Sequence, residues 1–188
     1  MSIDSNEAEK DGILTAAKLM AVSARTAPKG RGLDSIKTLI LNKREELEKL
    51  ATAMEAAFRE DPKRLDFFQR NANDVRKSTA VLLIGVTGEP KSIESPLNCG
   101  ACGIDCPGMA KAKKKDQGMM RGPMCHMQSI DLGIALGSAV KTASELNIDN
   151  RMMFSIGAAS RRVKLMDADF VVGIPLATMG KNPYFPIR

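Results

Sequence analysis

Apolar residues in this chain follow two rhythms, one repeating every three or four positions and one continuous over six or seven, and each predicts its own kind of element. Between Glu7 and Ala24 the residues Ile13, Ala16, Ala17, Met20 and Ala24 recur at helical spacing, so a first amphipathic helix is expected there. Arg25-Thr26-Ala27-Pro28-Lys29-Gly30-Arg31-Gly32 ends it with proline and glycine. Ser35 to Leu41 is short, branched and apolar, as a buried strand would be. Asn42 is placed to cap the next helix, with Glu45 as its partner three residues on. Leu47, Leu50, Ala51, Met54, Ala57 and Phe58 mark the inner face of that second helix, which stops before Asp61-Pro62. The same pair predicts a third helix with Pro62 at its first position and Leu65, Phe68, Ala72 and Val75 as its core stripe. Ala80 to Val86 is an unbroken apolar run, which predicts a central strand covered on both faces.

From 91 to about 123 no period is sustained, and an irregular, functional segment is expected. Ser129 to Leu146 is apolar almost all round, which predicts a helix deeply buried or shared between subunits. Gly133 and Gly137 lie one turn apart on it and would allow another backbone close. Met152 to Gly157 reads equally as strand or helix, Ala158 to Met166 as a short basic helix, Asp167-Ala168-Asp169 as a turn, and Phe170 to Pro175 as a buried strand. The tail, Gly180 to Arg188, carries the one tyrosine and two prolines and is expected to lie extended along a neighbouring surface. The order implies a mixed α+β fold with a central sheet flanked by helices, residues 1–188 forming one domain and 91–128 an embedded cysteine-rich segment.

All four cysteines lie in that segment, as Cys99-x2-Cys102-x3-Cys106-x18-Cys125. Two or three residues between thiolates let them turn toward one centre, and the intervening glycines permit tight turns and leave N–H groups free to face sulfur. Cys99, Cys102, Cys106 and Cys125 are therefore read as the ligands of one metal centre, with none left over. A [4Fe–4S] cluster suits four cysteines from a glycine-rich loop, and Cys106-Pro107 partly echoes ferredoxin-type runs. Zinc also takes four cysteines, although its usual two closely spaced pairs are broken here. Two disulfides, or free thiols, are the remaining reading. His126, the one histidine, would ligate, donate a bond from outside the ligand set, or sit in solvent. With one histidine, a Cys–His nucleophile pair would have to join His126 to its own neighbour Cys125, whose side chains need not converge, so no catalytic residue is assigned.

The net charge of +6 is modest, and five cations, Lys111, Lys113, Lys114, Lys115 and Arg121, fall between the third and fourth cysteines. Without interleaved aromatics to stack bases, no nucleic-acid partner is expected, and the lysines are read as counter-charge to thiolates. The opening residues lack a basic and apolar leader and no run approaches a membrane span, so a cytoplasmic protein without membrane association is expected.

Ala27-Pro28 after the first helix, Asp131-Leu132-Gly133 in the long helix and Val171-Val172-Gly173-Ile174-Pro175 near the end resemble landmarks of the nitroreductase-like fold. With the cysteine run and Gly180-Lys181-Asn182-Pro183, the whole chain resembles the uncharacterised ferredoxin-domain-containing family of bacteria and archaea. The resemblance implies an iron–sulfur protein, for electron transfer or redox sensing with an unidentified redox partner, on a scaffold whose relatives form intertwined dimers holding FMN at the interface. A homodimer packed on the long helix is expected, with the tail reaching toward the partner. Nitroreductase relatives carry an N-terminal Arg-Arg/Ser element and a Ser after the Ala-Pro; here Lys29 stands in place of that Ser and the element is not recognisable. If FMN or another anionic cofactor binds, Arg25, Lys29 and Lys181 are the cations in the two family-like segments, each with a solvated surface charge as its alternative. The alternatives to the cluster protein are a zinc-stabilised structural or interaction module and an FMN-dependent oxidoreductase relaying electrons through the cluster.

Overall fold

The computed structural model describes residues 2–185. Helix α1 (Ser5–Thr26) is capped by Asp4, whose carboxylate accepts the Glu7 N–H at 2.9 Å, and buries the stripe Ile13, Ala16, Ala17, Met20 and Ala24. A 3₁₀ turn at Gly30–Gly32 leads to β1 (Ile36–Leu41), α2 (Arg44–Glu60), α3 (Asp66–Lys77) and β2 (Ala80–Val86). Then come α4 (Cys106–Lys111), a two-stranded ribbon of β3 (Lys115–Asp116) and β4 (Arg121–Gly122), α5 (His126–Glu145), β5 (Asp149–Asn150), α6 (Phe154–Arg162) and β6 (Phe170–Ala177).

The main sheet runs β1-β2-β6-β5 with every pairing antiparallel, Ile36 opposite Val86 and Val86 opposite Phe170 at one end. All seven residues of β2 are buried, because helices cover both faces of the sheet. Val81 and Leu83 pack with Leu50, Met54, Phe68, Val75 and Ile156, from α2, α3 and α6. Leu82 and Ile84 pack on the other face with Ile13, Met20, Leu132 and Ala139, from α1 and α5. Alternation along one strand thus feeds two apolar cores. The backbone of α6 lies directly on β6, since a Cβ at Gly157 would collide with the Val171 carbonyl and one at Gly173 with Ile156.

Several expected boundaries shift. Helix α2 starts from Lys43, not Asn42: the Lys43 N–H donates to Glu46 Oε2 at 3.2 Å, and an ammonium side chain has no acceptor to complete a box. Pro62 does not open α3, because Leu65 N–H closes on Asp61 O at 2.9 Å to make a separate turn and Leu65 leaves helical geometry before Asp66. Met153 bridges to Gly173 and α6 begins at Phe154, four residues before the expected Ala158. The segment 91–123 contains α4 and the β3–β4 ribbon rather than being irregular throughout.

Helix α5 is not covered all round: Ile130, Gly133, Ile134 and Gly137 are exposed along one side, and nothing lies within 4 Å of a Cβ placed on either glycine. In the tail, Tyr184 is wholly buried and its hydroxyl meets Ser78 Oγ at 2.8 Å. Of the tail expected to reach toward a partner, Gly180 to Arg188, residues 186–188 lie outside the described residues. Among the described residues no helix is long and apolar enough to cross a membrane.

Candidate metal centre

The loop after β2 turns sharply at Asn98, Gly100 and Gly103, all with positive φ, and closes with Gly103 N–H on Gly100 O at 2.9 Å. Asn98 Oδ1 accepts the Cys106 N–H at 2.9 Å, tying the loop to α4. Asp105 caps that helix by accepting the Gly108 N–H at 2.7 Å. Cys106 is thereby held as the first residue of α4 and Cys99 and Cys102 on the turns before it.

Cys125 comes from a different part of the scaffold. It is the N-cap of the 20-residue α5, three residues closer to that helix than the sequence suggested, and its own N–H donates to Gly88 O at 2.8 Å. N–H groups of the first helical turn lie beside sulfur: His126 N–H donates to Cys102 Sγ at 3.3 Å, the Met127 N–H faces the Cys125 thiol, and the Gln128 N–H lies near the same thiol while donating to Cys125 O at 3.1 Å. Burial pushes the Cys125 thiol up, those N–H groups oppose the rise, and the nearby Cys102 and Cys106 sulfurs add to it.

All four cysteines are free and all four line one pocket, together with Gly30, Arg31, Lys91, Met109 and Met127. The disulfide reading is therefore not what the structure displays. Among the described residues no three His, Cys, Asp or Glu side chains gather closely enough to hold a single metal ion. The His126 residue is exposed, and only its backbone meets sulfur.

The counter-charge expected from the lysines between Cys106 and Cys125 is not placed there. None of the five lines the pocket. Lys114 instead meets Glu89 and Asp169, and Arg121 meets Asp169 and Asp167. Asp169, expected in a turn, is wholly buried and also accepts the Gly88 N–H at 2.7 Å. Although burial works to raise its carboxyl, Lys114, the Gly88 N–H and Arg121 outweigh burial and hold it below the ordinary value of 3.8. Asp169 thus fixes Gly88, and Gly88 fixes Cys125. No local pattern marks it, since its partners lie 48 to 81 residues away.

Arg25, Lys29 and Lys181 do not converge within one chain. Arg25 pairs with Asp34, and Lys29 turns back on the end of α1, donating to Ala24 O at 2.9 Å and Arg25 O at 3.0 Å. Lys181 is exposed beyond β6, on the side where Thr178 Oγ1 meets Glu9 Oε2 at 3.4 Å. From Glu9 to Arg25, α1 runs about 24 Å at about 1.5 Å per residue.

The family described as "Uncharacterized protein containing a ferredoxin domain (DUF2148)" matches residues 121–186. That segment holds Cys125 but not the other three cysteines. A protein of Archaeoglobus fulgidus with the name "Uncharacterized protein" is 44% identical over 186 residues, spanning 98% of this chain and 97% of its own. The chain belongs to this ferredoxin-domain-containing family. Its fold is nitroreductase-like. It resembles a BluB-like flavoprotein from Clostridium difficile 630, with TM-score 0.58 at 14% identity over 100% of this chain and 86% of that one. A putative NADH oxidase from Clostridium acetobutylicum gives 0.55 at 11%, over 100% and 85%. The NADPH:FMN oxidoreductase from Vibrio harveyi gives 0.53 at 10%, over 93% and 63%.

Proposed function

We propose that this protein is an iron–sulfur protein in which Cys99, Cys102, Cys106 and Cys125 hold a [4Fe–4S] cluster used in electron transfer or redox sensing. The observation that carries the reading is the convergence of four free cysteines on one pocket, with the N-terminal turn of a long helix directed at two of the sulfurs. Backbone N–H groups and the positive end of α5 stabilise negative charge on thiolates, which any metal in this pocket requires. When bound, such a cluster accepts and returns one electron at a time.

The zinc reading is less well supported. Bonds of about 2.3 Å to a tetrahedral zinc bring thiolates to about 4 Å from one another. The Cys-x2-Cys-x3-Cys-x18-Cys spacing breaks the two closely spaced pairs usual for such a site. In this reading residues 1–188 act as one nitroreductase-like domain with 91–128 embedded in it. The exposed side of α5 through Gly133 and Gly137 is where we place the two-fold contact of a homodimer.

The FMN alternative draws support from the flavoprotein and FMN oxidoreductase among the similar folds. It draws none from Arg25 and Lys29, which are already engaged.

Anaerobic purification with iron, sulfide and zinc analysis tests the proposal. A brown protein with about four irons per chain, bleached by dithionite, is expected. A colourless protein with one zinc per chain would sink it.

A further inference from the structure

The Gly30 turn and Asp131 meet just behind the cysteine pocket. Gly30 N–H donates to Asp131 Oδ1 at 2.9 Å, and a Cβ on Gly30 would touch Met127, Asp131 and Lys91 at 3.6 to 3.8 Å. Asp131 Oδ2 pairs with the Lys91 ammonium. Lys91 also donates to Leu33 O at 2.7 Å. The two side chains are only 7% and 2% exposed. Lys91, Gly30 and Met127 line the pocket with the cysteines, whereas Asp131 stands one layer further back.

A buried ion pair is a poor stabilising device, because desolvation offsets most of its attraction and an apolar pair of similar shape serves as well. What it does supply is two fixed opposite charges, shielded from water, the lysine lining the cysteine pocket and the carboxylate outside that lining. The other charged groups lining the pocket are differently employed: Arg31 reaches out to Ser95, and Asp105 caps α4. In a low-dielectric wall, a fixed charge acts strongly on any change of charge beside it.

We propose that Lys91 and Asp131 are positioning residues that set the reduction potential of the centre in the cysteine pocket, an inference that rests on the iron–sulfur reading above. Adding one electron to the pocket places one more negative charge there. Lys91 favours that state, while Asp131 opposes it from further away and holds Lys91 in place.

The test is an electrode titration of the anaerobically reconstituted full-length protein, with iron and sulfide measured for every variant and melting followed on the metal-free form. Asp131→Asn keeps an acceptor for Gly30 but leaves the lysine uncompensated, so the potential moves to more positive values. Lys91→Met leaves the carboxylate alone and moves it to more negative values. The double variant Lys91→Met/Asp131→Leu carries no buried charge, folds without that penalty, and shifts negatively by less than Lys91→Met. Opposite shifts of the single variants at wild-type iron content support the inference. Shifts of one sign, or none, at full iron content overturn it. Should a single variant fail to fold, the double variant decides, and a potential equal to wild type overturns the inference. A wild-type protein that takes up no iron is recognised by metal analysis beforehand; it overturns the iron–sulfur reading and this inference together.

Discussion

β2 and the loop that follows it are consecutive in the chain and opposite in construction. Every residue of β2 is buried between two layers of helices, whereas none of residues 92–105 is, and Ile93, Leu97 and Ile104 stand exposed. The strand is held by apolar area on both faces and by ladders to β1 and β6. The loop is held by a few polar contacts: Asn98 on Cys106, Arg31 on Ser95, and Gly103 on Gly100. The fourth cysteine belongs to the first kind of region and the other three to the second. A rigid anchor and a yielding clasp therefore share one pocket, and the two respond differently to damage.

The largest effect is expected where helix and sheet touch by backbone. Gly157→Leu drives a side chain into the Val171 carbonyl, and a loss of about 3 kcal/mol or more, up to failure to fold, should appear in chemical denaturation. Wild-type stability for that variant would mean that α6 does not rest on β6 as described.

Asp169→Asn comes next. It leaves Lys114 and Arg121 without their buried partner and should cost about 3–5 kcal/mol. Because the folded carboxyl lies below its ordinary 3.8, its contribution is complete above that value and is lost as pH falls through the lower folded one. Urea titrations from pH 6 to 2 should therefore show a shallower acid loss in the variant than in wild type. Parallel curves would remove Asp169 as the acid-sensitive tie.

The two kinds of cysteine sharpen the contrast further. Cys99→Ser, at an exposed position, should leave metal-free stability within about 0.5 kcal/mol, while Cys125→Ser, at a buried cap, should lower it by about 1 kcal/mol. Both should lose most of their metal on analysis after reconstitution. Retention by Cys125→Ser would mean that another group completes the site.

The smallest effect belongs to Lys29. Its ammonium satisfies the last carbonyls of α1, so Lys29→Met should lower the melting temperature by the equivalent of about 0.5–1 kcal/mol without touching metal content.

What could be read from the sequence follows the same division. The stripe of α1 and the core residues of α2, α3 and β2 stand where periodicity places them, because burial in those elements is a property of local spacing. The cysteine spacing pointed to four ligands of one centre; the four line one pocket, and their ligation is the proposal made above. The start of α6 was missed because Met152 to Gly157 satisfies both rhythms, and only the Met153 bridge to Gly173 settles it. Asp169 was missed for a deeper reason. An aspartate between an alanine and a strand reads as a turn, and nothing local announces that two cations and a backbone N–H far away in the chain will bury it. Lys114 and Arg121 were misassigned by the same blindness: their nearness to cysteine in sequence is not nearness to sulfur in space.

The tie from Asp169 through Gly88 to Cys125 also has a meaning in time. A ribosome makes Cys99, Cys102 and Cys106 first, Cys125 next and Asp169 last of all, followed by the strand that pairs with β2. While the chain is still being made, three sulfurs are present on a pliant loop, and the fourth has no seat. Its seat is complete only once β6 has closed against β2, which places assembly of the pocket after synthesis of that strand rather than before it.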